Sequence, residues 1–166
     1  MIALRVKISE QRMYEYRFPV FRSPFRVSIC GVTPVAKYLI STSRFGVGEE
    51  AGSNKTPRGW HKIARKIGGG YPQGTVFKGR VPVGSVLYGM SDAKIAHRIL
   101  WLEGLEEGKN KGGNVDTFQR YVYIHGVGDE LTLGRPASCG CIHLAARDLM
   151  PLYERVHVGD LVWIEE

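Results

Sequence analysis

The sequence holds no run of about 18 apolar residues, the length a helix needs to cross a bilayer, so nothing in it reads as a membrane span. Cysteine is scarce: there are three in 166 residues, two of them separated by a single glycine. That excludes the disulfide framework of small secreted domains and favours a reactive thiol. The opening residues Met1-Ile2-Ala3-Leu4-Arg5-Val6-Lys7 alternate rather than placing a basic segment before an apolar one, so no signal peptide is visible. Gly68-Gly69-Gly70 lacks the Gly-Lys-Ser/Thr ending of a phosphate loop. Helix-turn-helix, zinc-finger and RNP-like patterns are missing too, so no nucleic-acid partner is assigned.

What is present fits one domain, 1–166, long enough to bury a core without staples. An apolar share of 43% against 23% charged is ordinary for a globular chain. The net charge of +7 and a pI near 9.5 draw anions to the surface. Lys55, Arg58, Lys62, Arg65 and Lys66 form the densest cationic cluster and are read as a solvated face, because basic composition alone names no partner.

Leu4, Val6 and Ile8 alternate with polar residues, and Met13-Tyr14-Glu15-Tyr16-Arg17 follows a polar turn, which predicts a hairpin. Strand patterns continue over 26–30, with Cys30 as a small buried residue, and over 36–42. Thr56-Pro57-Arg58-Gly59 turns into 60–64, where His61 reads as a surface or strand histidine. The stretch 68–90 carries too many glycines and prolines for regular elements of any length and is read as a lid-like loop over a cleft. Residues 95–102, with His97 as a structural strand residue, and 120–124, apolar or aromatic on both faces, are expected as central strands. Asp148 is the expected cap of a helix carrying Leu149, Leu152, Tyr153 and Val156 on one face, with Pro151 in its first turn. Residues 161–164 form a closing strand. The fold is therefore mainly β, with one or two short helices and long Gly-rich loops.

The chemistry concentrates in Tyr123-Ile124-His125-Gly126-Val127 and, after a short loop, Arg135-Pro136-Ala137-Ser138-Cys139-Gly140-Cys141-Ile142-His143-Leu144. Cys141 lies sixteen residues beyond His125. A thiol nucleophile needs a nearby imidazole and N–H donors for the oxyanion formed on attack. Gly140 lets the chain turn so that the sulfur and the amides of Cys139, Gly140 and Cys141 point one way. On spacing alone Cys141 is as readily a packed thiol, and His125 a structural histidine. Zinc is the competing use, since Cys139, Cys141, His125 and His143 are four soft ligands. Cys-x-Cys is a poor chelate spacing and no second pair exists, so no metal and no other cofactor is assigned. A Cys139–Cys141 disulfide would close a small strained ring and is not expected at rest, while a resolving role for Cys139 toward an oxidised Cys141 stays open.

These residues resemble the catalytic core of the L,D-transpeptidases, the YkuD-type domain, whose pattern is His-Gly, a loop, then Ser-His-Gly-Cys-Ile-Arg. Cys139 stands here for the usual His and His143 for the usual Arg, and Val127 occupies a position where many members carry Thr or Ser. Gly46, the block 52–59 and Asn114-Val115-Asp116-Thr117 resemble upstream parts of one bacterial branch. The resemblance implies a β-sandwich or mixed sheet, Cys141 as nucleophile and His125 as its base. It also implies that a main-chain carbonyl or hydroxyl just after the histidine orients the ring; Val127 has no hydroxyl, which points to the Gly126 carbonyl. Ser138, His143, Tyr123 and Arg135 are the candidate substrate contacts. The implied activity is acyl transfer on peptidoglycan stem peptides, with terminal D-Ala released through a cysteine thioester and the acyl group passed to an amine or to water. Its place would be the cell envelope, whereas the missing signal peptide leaves an intracellular location open. His143 offers one donor and one acceptor where arginine offers a charged fork, so substrate contact is expected to differ. Two other readings stand beside this one: a wall-binding module whose turnover is disabled, and an intracellular thiol peptidase.

Overall fold

The structure is a computed structural model in which residues 1–18 and 31–166 are described. The expected strand 26–30 and the buried reading of Cys30 lie outside the described residues. The N-terminal alternation forms β1 (Ile2–Lys7) and β2 (Arg12–Arg17), paired antiparallel as a hairpin. They are followed by β3 (Ala36–Ser41), β4 (Gly59–Ile67), β5 (Thr75–Lys78), β6 (Val81–Ser85), β7 (Ala96–Gly104) and β8 (Tyr123–Gly126). The chain ends with β9 (Ile142–Leu144), helix α1 (Ala146–Arg155) and β10 (Leu161–Glu165).

Strands run in the order β4-β10-β1-β2-β3-β9-β8-β7, and β7 pairs back onto β4. Eight strands thus close on themselves and satisfy each other's edges, while the β5–β6 hairpin hangs on β7. β1–β10 and β8–β9 are parallel and the other pairings antiparallel, so the sheet is mixed, as the mainly β reading expects. One core draws on nearly every strand of the ring, including Leu4, Ile40, Leu100, Ile124 and Ile142, and Leu149 and Leu152 of α1, with Val156 just past its end, join it. On the other face of β7 and β8, Ile99, Trp101 and Tyr123 pack with Phe77 from the hairpin. Covering both faces of β7 and β8 explains their near-continuous apolar sequences.

Several expectations need correction. The stretch 68–90 is not without regular elements: β5 and β6 form a hairpin, with Gly74, Gly79 and Arg80 at φ +92°, +57° and +70° where the chain turns and Pro82 and Gly84 within the outer strand β6. The strand expected over 120–124 begins only at Tyr123, because Tyr121 adopts φ +56°. Asp148 does not cap α1; it lies in the first turn, and the Glu130 carboxylate accepts from the Ala146 N–H at 2.6 Å instead. Pro151 falls in the second turn, where α1 stays continuous around it. His61 is a strand residue but not a surface one: it is fully buried, bonded to the Gly59 carbonyl and the Thr117 hydroxyl. The cationic cluster is largely partnered, with Arg58 on Glu49, Lys62 on Glu103, Arg65 over Trp101 and Lys66 donating to the Val156 carbonyl.

Glu15 is the most deeply buried acidic residue among those described. The Glu15 side chain is 0% exposed and accepts from the Tyr38 hydroxyl, from Arg155 at 2.7 Å and from Arg17 at 3.0 Å. Burial alone would raise its carboxyl, but the bonds from Arg155, Tyr38 and Arg17 prevail and hold its pKa below the usual value. A depressed carboxyl stabilises the fold above its unfolded pKa, and that contribution is lost as pH falls through the folded one. Glu15→Gln is therefore expected to cost about 1–3 kcal/mol at pH 7. In urea unfolding, the gap to wild type should shrink as pH drops below about 4.

Candidate active site

β8 and β9 run parallel with Ile124 opposite Ile142, His125 opposite His143 and Gly126 opposite Leu144. Alternation along each strand then sorts the side chains. Ile124, Ile142 and Leu144 enter the main core, and Tyr123, His125, Cys141 and His143 take the other face. The His125 and His143 rings lie side by side, 4.8 Å between centroids. Cys141, the residue before β9, sits beside Tyr123, whose N–H points at Sγ from 3.4 Å, and the thiol in turn donates to the Tyr121 carbonyl at 3.6 Å.

His125 is buried, with Nδ1 2.8 Å from the Gly126 carbonyl oxygen. A carbonyl only accepts, so Nδ1 carries the proton and Nε2 keeps its lone pair. Glycine is required at 126: a Cβ there would lie 2.6 Å from His97 Cδ2 and 2.8 Å from the Ala96 carbonyl oxygen. His97 itself occupies a bulge of β7 at φ +71° and accepts from the Gly74 N–H at 3.0 Å, tying the β5–β6 hairpin to the strand beneath the site.

The loop before Cys141 is braced by hydroxyls. Buried Ser138 donates to the Cys141 carbonyl at 2.6 Å and accepts from the Gly140 N–H at 3.2 Å, while Thr56 donates to the Gly140 carbonyl at 3.1 Å. Gly140 has φ +117°, and a Cβ would press on the Lys55 carbonyl at 3.3 Å. Of the three amides expected to face an oxyanion, that of Gly140 is already occupied by Ser138. Those of Cys139 and Cys141 have no acceptor among the described residues.

Two clefts of about 430 and 420 Å³ meet at Cys139 and Cys141. The first is polar, with Asn54, Asn114, Asp116 and Arg120 in its wall; the second contains His125, Val127 and His143, with Arg44 and Lys94 at its sides. Among the expected substrate contacts, His143 lines the second cleft and Ser138 does so with its hydroxyl already bonded. Tyr123 lines neither. It is turned into the aromatic cluster, 4% exposed, with its hydroxyl accepting from Arg80 at 3.2 Å, and only its amide serves the sulfur. Arg135 is exposed and outside both clefts; what it supplies is its carbonyl, as acceptor for Ser41 at 2.7 Å. Arg44, Lys94 and Arg120 were not singled out from the sequence, since each is a single cation in a loop and only tertiary contact brings it to the site. Among the described residues no group of three or more His, Cys, Asp or Glu is arranged to hold a metal, and Cys139 and Cys141 are free thiols.

Burial sets the protonation of the pair. It lowers His125 to about 4 and raises Cys141 to about 11, the latter against the opposing pull of the Tyr123 amide and Arg120. Near pH 7 the site holds a thiol and a neutral imidazole, the combination a general base requires. His143, lowered to about 3 by burial and then by His125 and Lys94, is neutral as well, and its buried Nδ1 has no partner among the described residues. Thiolate absorbance near 240 nm, taken as the difference between wild type and Cys141→Ala, should accordingly be absent at pH 7 and emerge only above pH 9. A thiolate already formed at neutral pH would contradict this assignment.

No curated protein matches the chain. Solved structures match its fold at low identity. They include an L,D-transpeptidase from Mycobacterium tuberculosis H37Rv (18% identical, TM-score 0.57, 99% of this chain and 57% of that one) and one from Mycobacterium smegmatis (16%, 0.55, 99% and 58%). L,D-transpeptidase 3 from M. tuberculosis, solved with a faropenem-derived adduct, matches similarly (17%, 0.54, 99% and 60%). The chain thus spans less than two thirds of the length of these structures. The family model of the L,D-transpeptidase catalytic domain, YkuD, matches residues 3–164. Matched by that model over nearly its whole length, the chain belongs to the L,D-transpeptidase catalytic domain family.

Proposed function

We propose that the protein is a cysteine acyltransferase acting on peptidoglycan stem peptides in the cell envelope, an L,D-transpeptidase with water as an alternative acceptor. The observation that carries this reading is the placement of Cys141 and His125 in the wall of one cleft, with the His125 ring fixed through Nδ1 so that Nε2 remains a base. The donor the family implies is a tetrapeptide stem with a diamino acid third and D-Ala fourth. His125 Nε2 takes the thiol proton as Cys141 Sγ attacks the carbonyl carbon of the third residue. The amides of Cys139 and Cys141 are the donors for the resulting oxyanion. The imidazolium then protonates the departing D-Ala nitrogen and a thioester remains. An amine from a second stem, or water, gives its proton to His125 as it adds to the thioester, and the sulfur leaves with that proton. Every atom is accounted for without a cofactor.

The binding-module and thiol-peptidase readings are separated from this one by a single assay. Purified protein with disaccharide-tetrapeptide muropeptides is expected to release D-Ala, with tripeptide or cross-linked dimer seen by mass spectrometry. Cys141→Ala should abolish release, and His125→Gln should lower kcat by at least about a hundredfold. A carbapenem should leave a covalent adduct on Cys141 in wild type only. Binding without product would support the module, and turnover confined to other peptides would support the peptidase; either result sinks the proposal.

A further inference from the structure

Arg120 lies in the turn before β8, where its N–H donates to the Asp116 carbonyl at 2.9 Å. Its side chain reaches back across the polar cleft to a loop some seventy residues earlier. Nη1 donates to the carbonyls of Glu49 at 2.7 Å and Gly48 at 3.3 Å, and Nη2 to the Lys55 carbonyl at 2.7 Å and the Ser53 hydroxyl at 3.5 Å. All four acceptors are neutral, and no carboxylate of the described residues pairs with this guanidinium. The nearest candidate, Glu49, is engaged by Arg58 at 2.8 Å, and Asp116 by the N–H groups of Gly112 and Gln119, each at 2.9 Å. A half-buried cation satisfied only by neutral groups keeps its field, and burial disfavours its charge, as the downward direction of its pKa records.

The loop it holds backs the nucleophile. The carbonyls of Asn54 and Lys55 lie behind Gly140, Ser43 donates to the Asn54 carbonyl at 2.5 Å, and Thr56 donates to the Gly140 carbonyl. Arg120 and Cys141 line the same cleft. We propose that Arg120 is a positioning residue for Cys141: it clamps the 46–56 loop behind Gly140 and supplies the positive charge that favours the thiolate formed during attack. This rests on the reading of Cys141 as the nucleophile, but not on the identity of the substrate.

The other titratable groups around the sulfur do not substitute for it. His125 from β8 and His143 from β9 are neutral near pH 7, and Tyr123 and Cys139 carry no positive charge in any form. Across the second cleft the cations Arg44 and Lys94 share the wall with the anions Asp92 and Asp129, so that side brings no net charge. Asp116, in the wall of the polar cleft, opposes Arg120 and makes its removal more costly to the thiolate.

The test needs no peptidoglycan. The pH dependence of Cys141 alkylation by iodoacetamide, followed at the Cys141 peptide by mass spectrometry, reports thiolate formation directly. Arg120→Gln is expected to move the midpoint up by about one pH unit or more, a tenfold or greater loss of alkylation rate at fixed pH. Arg120→Lys should keep the midpoint near wild type while hydrogen exchange over 46–56 accelerates, because an ammonium cannot bridge the four acceptors. An unmoved midpoint in folded Arg120→Gln overturns the proposal. Should Arg120→Gln not fold, unchanged exchange over 46–56 in Arg120→Lys overturns it instead. Loss of D-Ala release from wild-type protein would sink the peptidoglycan reading and leave this one standing.

Discussion

The site depends on a parallel pairing between two very short strands, β8 and β9. In a parallel ladder, residues opposite each other share a face, so the register that sets His125 against His143 also brings Cys141 alongside Tyr123. A slip of one residue would send the imidazole or the sulfur into the core and bring Ile124 or Ile142 out. What prevents the slip is the burial of those isoleucines, together with Leu144, against α1 and β7. The chemistry is thus positioned by hydrophobic packing on the opposite side of the same two strands.

Packing also sets the electrostatics. Around His125 and Cys141 burial outweighs every nearby charge, which pushes the two pKa values apart in the direction that leaves both partners neutral. An exposed pair with ordinary values would share its proton more evenly. On the proposed mechanism the proton would move as an acyl carbonyl engages the sulfur, and the amides of Cys139 and Cys141 and the charge of Arg120 would act on the transition state more than on the resting site. The same burial makes the bracing hydroxyls necessary, because a loop that places glycine at φ +117° beside buried carbonyls must satisfy them locally, as Ser138 and Thr56 do.

What the sequence revealed and what it hid follow one division. Strands with clear alternation or continuous apolar character, such as β1, β2, β7 and β10, were legible because burial of their faces is a local pattern. The β5–β6 hairpin was hidden by its glycines and prolines, which mark its turns and, as Pro82 and Gly84, sit in the edge strand β6, and yet read as a ban on strands. The start of α1 was misplaced for a related reason. Its cap, Glu130, comes from a turn sixteen residues upstream, so no local motif announces it. At the site, Cys141 and His125 stood out through the family motif; spacing alone did not separate them from packed residues. That Tyr123 and Arg135 lie outside both clefts while Arg44, Lys94 and Arg120 line them was not legible, since such placement comes from contacts across long sequence separations.

The two departures from the family motif change where positive charge can come from. His143 is neutral, half-buried and beside His125, so it places no fixed cation against that imidazole. An arginine in the same position would carry its charge at every working pH and would lower His125 further. Cys139 in turn leaves the loop with a small exposed thiol where a ring would stand, at the junction of both clefts. With Arg44 and Lys94 balanced by Asp92 and Asp129 across one cleft, the proposed source of positive charge near the sulfur is Arg120 across the other.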